Sequence, residues 1–461
     1  MVRIQFQQGT LVLTGSESEL EPVRAWCVFD DRIDCWRAES LHYAQIVLTL
    51  RAGGIPYQDE ARDFQPIDLA LDAELAPRPY QGEAVAAWEE ASRRGVIVLP
   101  TGSGKSFVAR LVISRTRRPA LIVVPTLDLM AQWASQLERA FERPIGLLGG
   151  GNRDVRELTV STYDSAVLCM EFIGNRFGLL VVDECHHLPG AVNRNLARMS
   201  LAPFRLGLTA TPERDDSEDD LYVDLLGKIC YRKEIDELEG NVLAPYRTER
   251  VSLELEPDEA EAYSRHRQAY VSFIRAHAIN FGSPTGWSRF LMLCARDVGG
   301  REVFRSYLEQ RRIARTARAK FQHIWELFRA HRGERVLVFT ADNDTAYEIG
   351  RRFLLPVITH HTKLAERRAF LDAFREGAYP VLVTSKVLNE GVDVPEASVG
   401  IVVSGSGSTR EHVQRLGRIL RPAAGKQAVL YELVSEGTSE SNTSERRRQH
   451  RAYQRPRPMP H

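Results

Sequence analysis

The stretch GVIVLPTGSGKS, Gly95–Ser106, is where the fold is decided. Its first half, GVIVLP (95–100), is a continuous apolar run of strand length, and the segment after it, SFVARLVISRTR, has helix length. A strand that passes through a glycine-rich turn into a helix is the setting a phosphate-binding loop needs. Gly102 and Gly104 let the backbone turn so that its N–H groups face anionic oxygens. With Thr101 and Ser103 they form the loop LPTGSGKS (99–106), expected to bind a nucleoside triphosphate. Lys105 supplies positive charge for the β- and γ-phosphates, the Ser106 hydroxyl is placed to bind Mg²⁺, and the helix N-terminus adds its dipole. The general pattern would put its first glycine at position 99, where this chain has Leu99. The competing reading is a Gly/Ser turn that happens to contain a lysine.

Outward from this loop, short apolar runs alternate with helix-length segments. The expected strands are ALIVVPT (120–126), LTVSTY (158–163), GLLVVDE (178–184) and RLGLTAT (205–211). They are continuous rather than alternating, as strands buried on both faces of a parallel sheet are. This βαβ series predicts a doubly wound α/β domain over 73–241. A second series, RVLVFT (335–340), YPVLVTS (379–385), SVGIVVS (398–404) and QAVLYELV (427–434), predicts a second α/β domain over 242–445. Between the two series, 257–332 is rich in Glu, Arg and Ala and is expected to be mostly helical. Residues 1–65 read as a separate small unit with Trp26, Trp36 and a helix near 38–53, followed by the linker PIDLALDAELAP.

Bulk properties bound the reading. A chain of 461 residues is too long for one core, and 43% hydrophobic with 26% charged residues is ordinary for a globular protein. No apolar run of membrane-spanning length occurs, and the start, MVRIQFQQGT, has no apolar signal-like region. The six cysteines include no Cys-x-x-Cys pair, so neither a zinc site nor a disulfide framework is suggested, and a cytoplasmic setting is expected. Formal net charge is zero but uneven. Residues 1–72 carry 6 Lys/Arg against 12 Asp/Glu, and 256–331 carry 13 against 8. The tail from Arg446 to His461 has six arginines and no acid, and is expected to be disordered. Such a basic region is either an electrostatic footprint for nucleic acid or a solvated face.

About 80 residues after the loop, VVDECHHL (181–188) puts two acids, a cysteine and two histidines in five consecutive positions. As a metal-ligand cluster it would need several of them to converge, yet adjacent residues at a strand end point in different directions. As the acidic end of a nucleotide-hydrolysing strand it makes better sense. Asp183 would hold Mg²⁺, partly through water, and Glu184 would orient and deprotonate the attacking water. His186 is then a coupling residue near the γ-phosphate, and Cys185 and His187 are structural.

With these halves in hand, the chain resembles a superfamily 2 helicase or translocase of the DExH type. Pro-Thr-Gly-Ser-Gly-Lys-Ser is a common helicase form of the phosphate loop. Gln81, in RPYQGEAV, matches the glutamine that reads adenine; VPTLDLMAQW (124–133) and VSTYDSA (160–166) resemble the motifs that grip the strand; Thr209-Ala210-Thr211 matches the motif that couples ATP state to that grip. VLVFTADN (336–343) and VTSKVLNEGVDVP (383–395) follow in family order, the latter with Gly391 and Asp393 facing the nucleotide. In QRLGRILRP (414–422), Gln414, Arg418 and Arg421 match the motif that supplies arginine fingers. Two arginines three apart share one helix face, and as fingers they neutralise charge in the transition state.

Within superfamily 2 the chain resembles the XPB (xeroderma pigmentosum group B) helicases, in their short prokaryotic form. LPTGSGKSFVA, GNRFGLLVVDECHHLP, APFRLGLTATPER and SGSGSTREHVQRLGRILRP carry the likeness, and FDDRIDCWRAESLHYAQIV resembles that family's damage-recognition domain. The resemblance implies two RecA-like motor domains, a helical thumb over 257–312 that grips DNA, and a basic tail over 446–461. It implies use of ATP and Mg²⁺ in unwinding DNA, single-stranded, forked or duplex, with 3′→5′ polarity in excision repair. A nuclease partner protein, no membrane association and a monomeric state go with it. The family's Arg-Glu-Asp element is replaced by Arg214-Asp215-Asp216, one methylene shorter at its centre. Four other readings stay open on sequence: a duplex-DNA translocase that separates no strands, an RNA helicase, a metal-dependent nuclease, and a non-enzymatic DNA-binding module. Trp26 and Trp36 either contact distorted DNA or fill the core of a small domain.

Overall fold

The computed structural model describes residues 1–69, 76–210, 222–238, 245–283, 285–385, 397–404, 428–441 and 444. Thr211, Arg214, Asp215, Asp216, Gly391, Asp393, Gln414, Arg418, Arg421 and the tail 446–461 lie outside them. The chain divides into two compact units, with described residues 1–238 in one and those from 245 onward in the other.

The first unit opens with a small sheet built from β1 (Val2–Gln7), β2 (Thr10–Thr14), β3 (Cys27–Asp30), β4 (Cys35–Glu39) and β5 (Tyr57–Asp59), in the order β3-β4-β2-β1-β5. Alternation explains the strands: Val2 and Ile4, then Leu11 and Leu13, point inward. The helix expected near 38–53 is shorter. Residues 35–39 are strand β4, Ser40–His42 is a 3₁₀ turn, and the α-helix is Tyr43–Ala52, which buries Tyr43, Ile46, Val47 and Leu50 on the sheet. Trp26 and Trp36 are part-buried against this core, with the Arg24 guanidinium over the Trp36 ring at 5.2 Å. Leu201 completes the same core from the larger sheet's side, and Asn175 Nδ2 donates to the Ala61 carbonyl at 2.9 Å. The start of the expected linker is strapped down rather than loose. Ile67 N donates to Arg117 O at 3.0 Å, and Ser114 Oγ donates to Leu69 O at 3.0 Å.

The larger sheet of this unit is formed by β6 (Arg94–Val98), β7 (Ala120–Val124), β8 (Gly146–Gly149), β9 (Asn152–Arg153), β10 (Leu158–Thr162), β11 (Leu179–Asp183), β12 (Phe204–Thr209) and β13 (Ile229–Arg232). Their order is β13-β6-β12-β11-β7-β10-β8-β9, parallel except for β9. Helices Lys105–Thr116, Leu127–Phe141 and Tyr163–Ile173 return the chain after β6, β7 and β10. The strand expected to reach Thr126 stops at Val124, because the Thr126 hydroxyl caps the next helix by accepting from Leu129 N at 3.2 Å.

The second unit carries β14 (Tyr246–Leu253), β15 (Val336–Phe339), β16 (Val357–Ile358), β17 (Val381–Thr384), β18 (Val399–Val402) and β19 (Ala428–Ser435), all parallel, ordered β14-β19-β18-β15-β17-β16. Helix Arg318–Ala330 packs Phe321, Ile324 and Leu327 onto this sheet. Before it, helices Pro257–Ala276, Gly286–Arg296 and Gly300–Arg315 surround a core of their own. Phe290 is fully buried there, with Tyr270, Phe304 and Tyr307 around it at centroid distances of 5.6, 6.4 and 5.7 Å. Among the described residues no helix is long and apolar enough to cross a membrane.

Candidate active site

Parallel register brings three segments to one edge of the first unit's large sheet. Thr209 pairs with Val98 and Asp183 with Leu208, so the loop after β6, the acids ending β11 and the threonine ending β12 share the carboxyl edge. In open α/β sheets this is the edge where ligands bind.

Residues 99–104 turn out of the sheet before the helix begins at Lys105. Gly102 and Gly104 have φ of +85° and +88°, a region that side chains disfavour. At Gly104 a Cβ would also lie 2.7 Å from Gln81 Nε2. Ser103 Oγ donates to Pro100 O at 2.7 Å and closes the loop on itself. The Ser103 carbonyl in turn accepts from Tyr80 Oη and, at 3.3 Å, from Gln81 Nε2. Gln81 Oε1 accepts from Arg78 N at 3.0 Å. Gln81, expected to read adenine, thus has both ends of its amide on the phosphate loop and the start of its own helix. Lys105 Nζ rests on the Leu99 carbonyl at 3.3 Å, and Thr101 Oγ1 is buried without a hydrogen-bond partner.

Asp183 is buried at the end of β11, where Oδ2 accepts from Trp133 Nε1 at 2.8 Å and Oδ1 accepts from Glu184 N at 3.0 Å. Burial, and next the Glu184 charge, push its pKa up to about 6, while the Lys105 ammonium works in the opposite direction. Glu184 sits at φ +47°, ψ +51°, in the left-handed region that side chains disfavour, so the chain turns sharply as it leaves the strand. Tyr163 Oη donates to the carbonyls of Asp183 at 3.0 Å and Glu184 at 3.2 Å. Glu184 Oε2 is buried without a hydrogen-bond partner and lies 3.5 Å from His186 Nδ1. His186 Nδ1 is also 3.1 Å from Thr209 Oγ1, and its Nε2 is 3.1 Å from His187 Nε2.

The five-residue cluster does not converge. Cys185 is fully buried in the apolar core, while His186 and His187 engage each other. Among the described residues no group of three or more His, Cys, Asp and Glu could hold a metal ion by itself. The edge does suit a divalent cation that arrives with phosphates. Buried Asp183 and part-buried Glu184 retain one carboxylate oxygen without a hydrogen bond, and Lys105 is parked on a backbone carbonyl. Trp133 and Tyr163 belong to segments that sequence reading singled out, yet neither received a role there. Their signal was a polar-tipped aromatic placed on an otherwise apolar helix face.

Comparison with known proteins is consistent over the whole chain. The family "Xeroderma pigmentosum group B helicase damage recognition domain" matches residues 4–61. "Type III restriction enzyme, res subunit" matches 74–214, and "ERCC3/RAD25/XPB C-terminal helicase" matches 301–454. A Sulfurisphaera tokodaii protein named DNA 3'-5' translocase XPB2 is 38% identical over 449 residues, 97% of this chain and 100% of that one. A Mycobacterium tuberculosis protein named DNA 3'-5' helicase XPB is 29% identical over 455 residues, 95% of this chain and 74% of that one. Among solved structures, the Pyrococcus furiosus Hef helicase domain aligns with a TM-score of 0.52 at 19% identity, covering 81% of this chain and 98% of that one. S. cerevisiae Dbp5 bound to RNA and ADP BeF3 aligns with a TM-score of 0.55 at 15% identity, covering 80% and 88%. At those identities the two structures speak for the helicase fold alone.

Proposed function

Because the chain belongs to the XPB helicase family, we propose that it is an ATP-driven 3′→5′ DNA motor that opens DNA, acting in the cytoplasm in excision repair. One observation carries this reading: the phosphate loop, the Asp183–Glu184 pair and the linked His186–Thr209 pair share one sheet edge.

In this reading Lys105 exchanges the Leu99 carbonyl for the oxygens of the β- and γ-phosphates, and the loop N–H groups from Gly102 to Ser106 cradle them. Mg²⁺, held by Ser106 and through water by Asp183, would neutralise charge on the phosphates. Glu184, with its orphan Oε2, orients the attacking water and accepts its proton. The His186–Thr209 contact reports the state of Glu184 to the end of β12, where Thr211 and the Arg214-Asp215-Asp216 element follow in sequence. The family pattern gives Gln414, Arg418 and Arg421 the transition-state role and Gly391 and Asp393 a nucleotide-binding role; all five lie outside the described residues. Residues 257–312 grip DNA as a thumb, residues 1–65 probe it, and a nuclease partner acts on what a monomeric motor opens.

The Sulfurisphaera relative is named a translocase and the Mycobacterium relative a helicase, so a motor that tracks duplex without separating strands is the second reading. The deciding experiment measures ATP hydrolysis by wild type and Glu184→Gln, without nucleic acid and with single-stranded DNA, duplex DNA or RNA. DNA should stimulate wild type, RNA should not, and Glu184→Gln should remove the activity. A forked substrate then separates the two motor readings: strand release supports unwinding, whereas hydrolysis without release supports translocation. No hydrolysis under any condition would end both.

A further inference from the structure

The two acids do not hold their own geometry. The helix Leu127–Phe141 buries Met130, Trp133, Leu137, Ala140 and Phe141, a stripe at helical spacing that any large apolar side chain could continue at position 133. Trp133 fills that place and adds one indole N–H, which is directed at Asp183 Oδ2 at 2.8 Å. Tyr163 is the first residue of the helix Tyr163–Ile173, capped by the Thr162 hydroxyl. Its own hydroxyl straddles the carbonyls of Asp183 and Glu184 at 3.0 and 3.2 Å, on either side of the left-handed turn. The two helices follow β7 and β10, the next two strands beyond β11. Both therefore reach across the carboxyl edge, one to a carboxylate and one to a backbone.

We propose that Trp133 and Tyr163 are positioning residues: Trp133 fixes the Asp183 carboxylate in the rotamer that receives the nucleotide's cation, and Tyr163 fixes the backbone turn that aims Glu184. The inference rests on the ATP-hydrolysis reading above and deepens it. Asp183 Oδ1 is already taken by the Glu184 N–H, so the indole restrains the second oxygen and leaves the carboxylate no free rotation. Neither residue need touch nucleotide. The two helices thereby hold the acids separately, so the two substitutions should fail in different ways.

The experiment uses the full chain with Trp133→Phe and Tyr163→Phe, each checked for an unchanged thermal midpoint. Two quantities are read: the Mg²⁺ concentration for half-maximal binding of a fluorescent ATP analogue, and kcat and KM for ATP. Losing an outer partner of a metal-holding group typically costs about 10-fold or more in affinity or activity. Trp133→Phe should therefore raise the Mg²⁺ half-point about 10-fold. Tyr163→Phe should lower kcat about 10-fold while KM and the Mg²⁺ half-point stay within about twofold. If Trp133→Phe does not fold, benzothienylalanine at position 133 keeps the shape without the N–H, and the same shift is expected. Mg²⁺ half-points and kcat all within twofold of wild type in folded protein would overturn the proposal. So would identical losses in every parameter accompanied by a lowered thermal midpoint, since that is what mere packing predicts. A wild type that binds the analogue but never hydrolyses ATP would instead sink the motor reading, and the Tyr163 half of this proposal with it.

Discussion

Asp183→Asn should stabilise the protein while it abolishes ATP hydrolysis, and the gain should depend on pH. Asp183 is buried, and its pKa rises from 3.8 to about 6 on folding, first through desolvation and then through the Glu184 charge. The folded state therefore holds the proton over a range where the unfolded state has released it. Stability is at its fullest below 3.8 and falls as pH rises through 6. At pH 8 the buried charge costs about 3 kcal/mol, and at pH 5, where native Asp183 is mostly protonated, about half of that. Asparagine keeps an acceptor for the Trp133 indole but loses the bond from Glu184 N, a penalty of about 1 kcal/mol. The net gain is then about 2 kcal/mol at pH 8 and under about 1 kcal/mol at pH 5. For a unit of this size that corresponds to a melting-point rise of roughly 4–8 °C at pH 8 and roughly 1–2 °C at pH 5. Differential scanning calorimetry without nucleotide or Mg²⁺ measures both, and hydrogen exchange at β11 amides localises the effect. An equal shift at both pH values, or a loss of stability at pH 8, would refute the reasoning.

Two further substitutions test buried cations outside the acid pair. Arg205 is fully buried, and burial holds its pKa well below the usual arginine range; it donates to the carbonyls of Ala197, Ser200, Ala202 and Leu225 at 2.7–3.0 Å. Arg205→Met leaves those carbonyls without that donor and should cost the first unit about 3–5 kcal/mol in urea unfolding, whereas a loss under about 1 kcal/mol would contradict this account. In the second unit, Lys320 is fully buried and donates to Glu440 Oε2 at 2.6 Å and Val403 O at 2.7 Å. Lys320→Met alone should cost about 3–5 kcal/mol, and the double change Lys320→Met/Glu440→Gln should recover at least half of it, as a double-mutant cycle would show.

What the sequence made legible follows from where strands sit. β7, β11, β15, β17 and β18 are buried along their length and read as mainly aliphatic runs, while β10 and β12 are equally buried but carry Thr159, Ser161 and Arg205 among their aliphatic residues. Several of the strands that sequence reading passed over lack such a run. β14, Tyr-Arg-Thr-Glu-Arg-Val-Ser-Leu, mixes charge with aliphatics because it lies at the rim of its sheet with one neighbour, β19. β13 borders the other sheet in the same way, β16 has only two residues, and β8 holds only Leu147 and Leu148 between two glycines. The same logic applies at the site. Gly102, Gly104 and Lys105 were legible because a phosphate loop is made of local backbone, and sequence spacing encodes local backbone directly. The Trp133–Asp183 and Tyr163–Glu184 bonds join residues 50 and 21 positions apart, and only the order of parallel strands brings them together. Each half of such a pair has a sufficient local reason to be where it is: Trp133 to fill a helix stripe, and Tyr163 to start a helix after its cap. Local reasoning therefore stops at the local reason. The polar tip of a buried aromatic is the one sign that a second, distant reason exists, because an indole N–H or phenol O–H inside a core must find a partner. Trp88 obeys the same rule without any part in the chemistry: its indole donates to the Arg205 carbonyl at 2.8 Å and ties the helix Pro79–Glu90 to β12. The sign thus says that a long-range bond exists, and the register of the sheet says whether that bond ends on a carboxylate or on the scaffold.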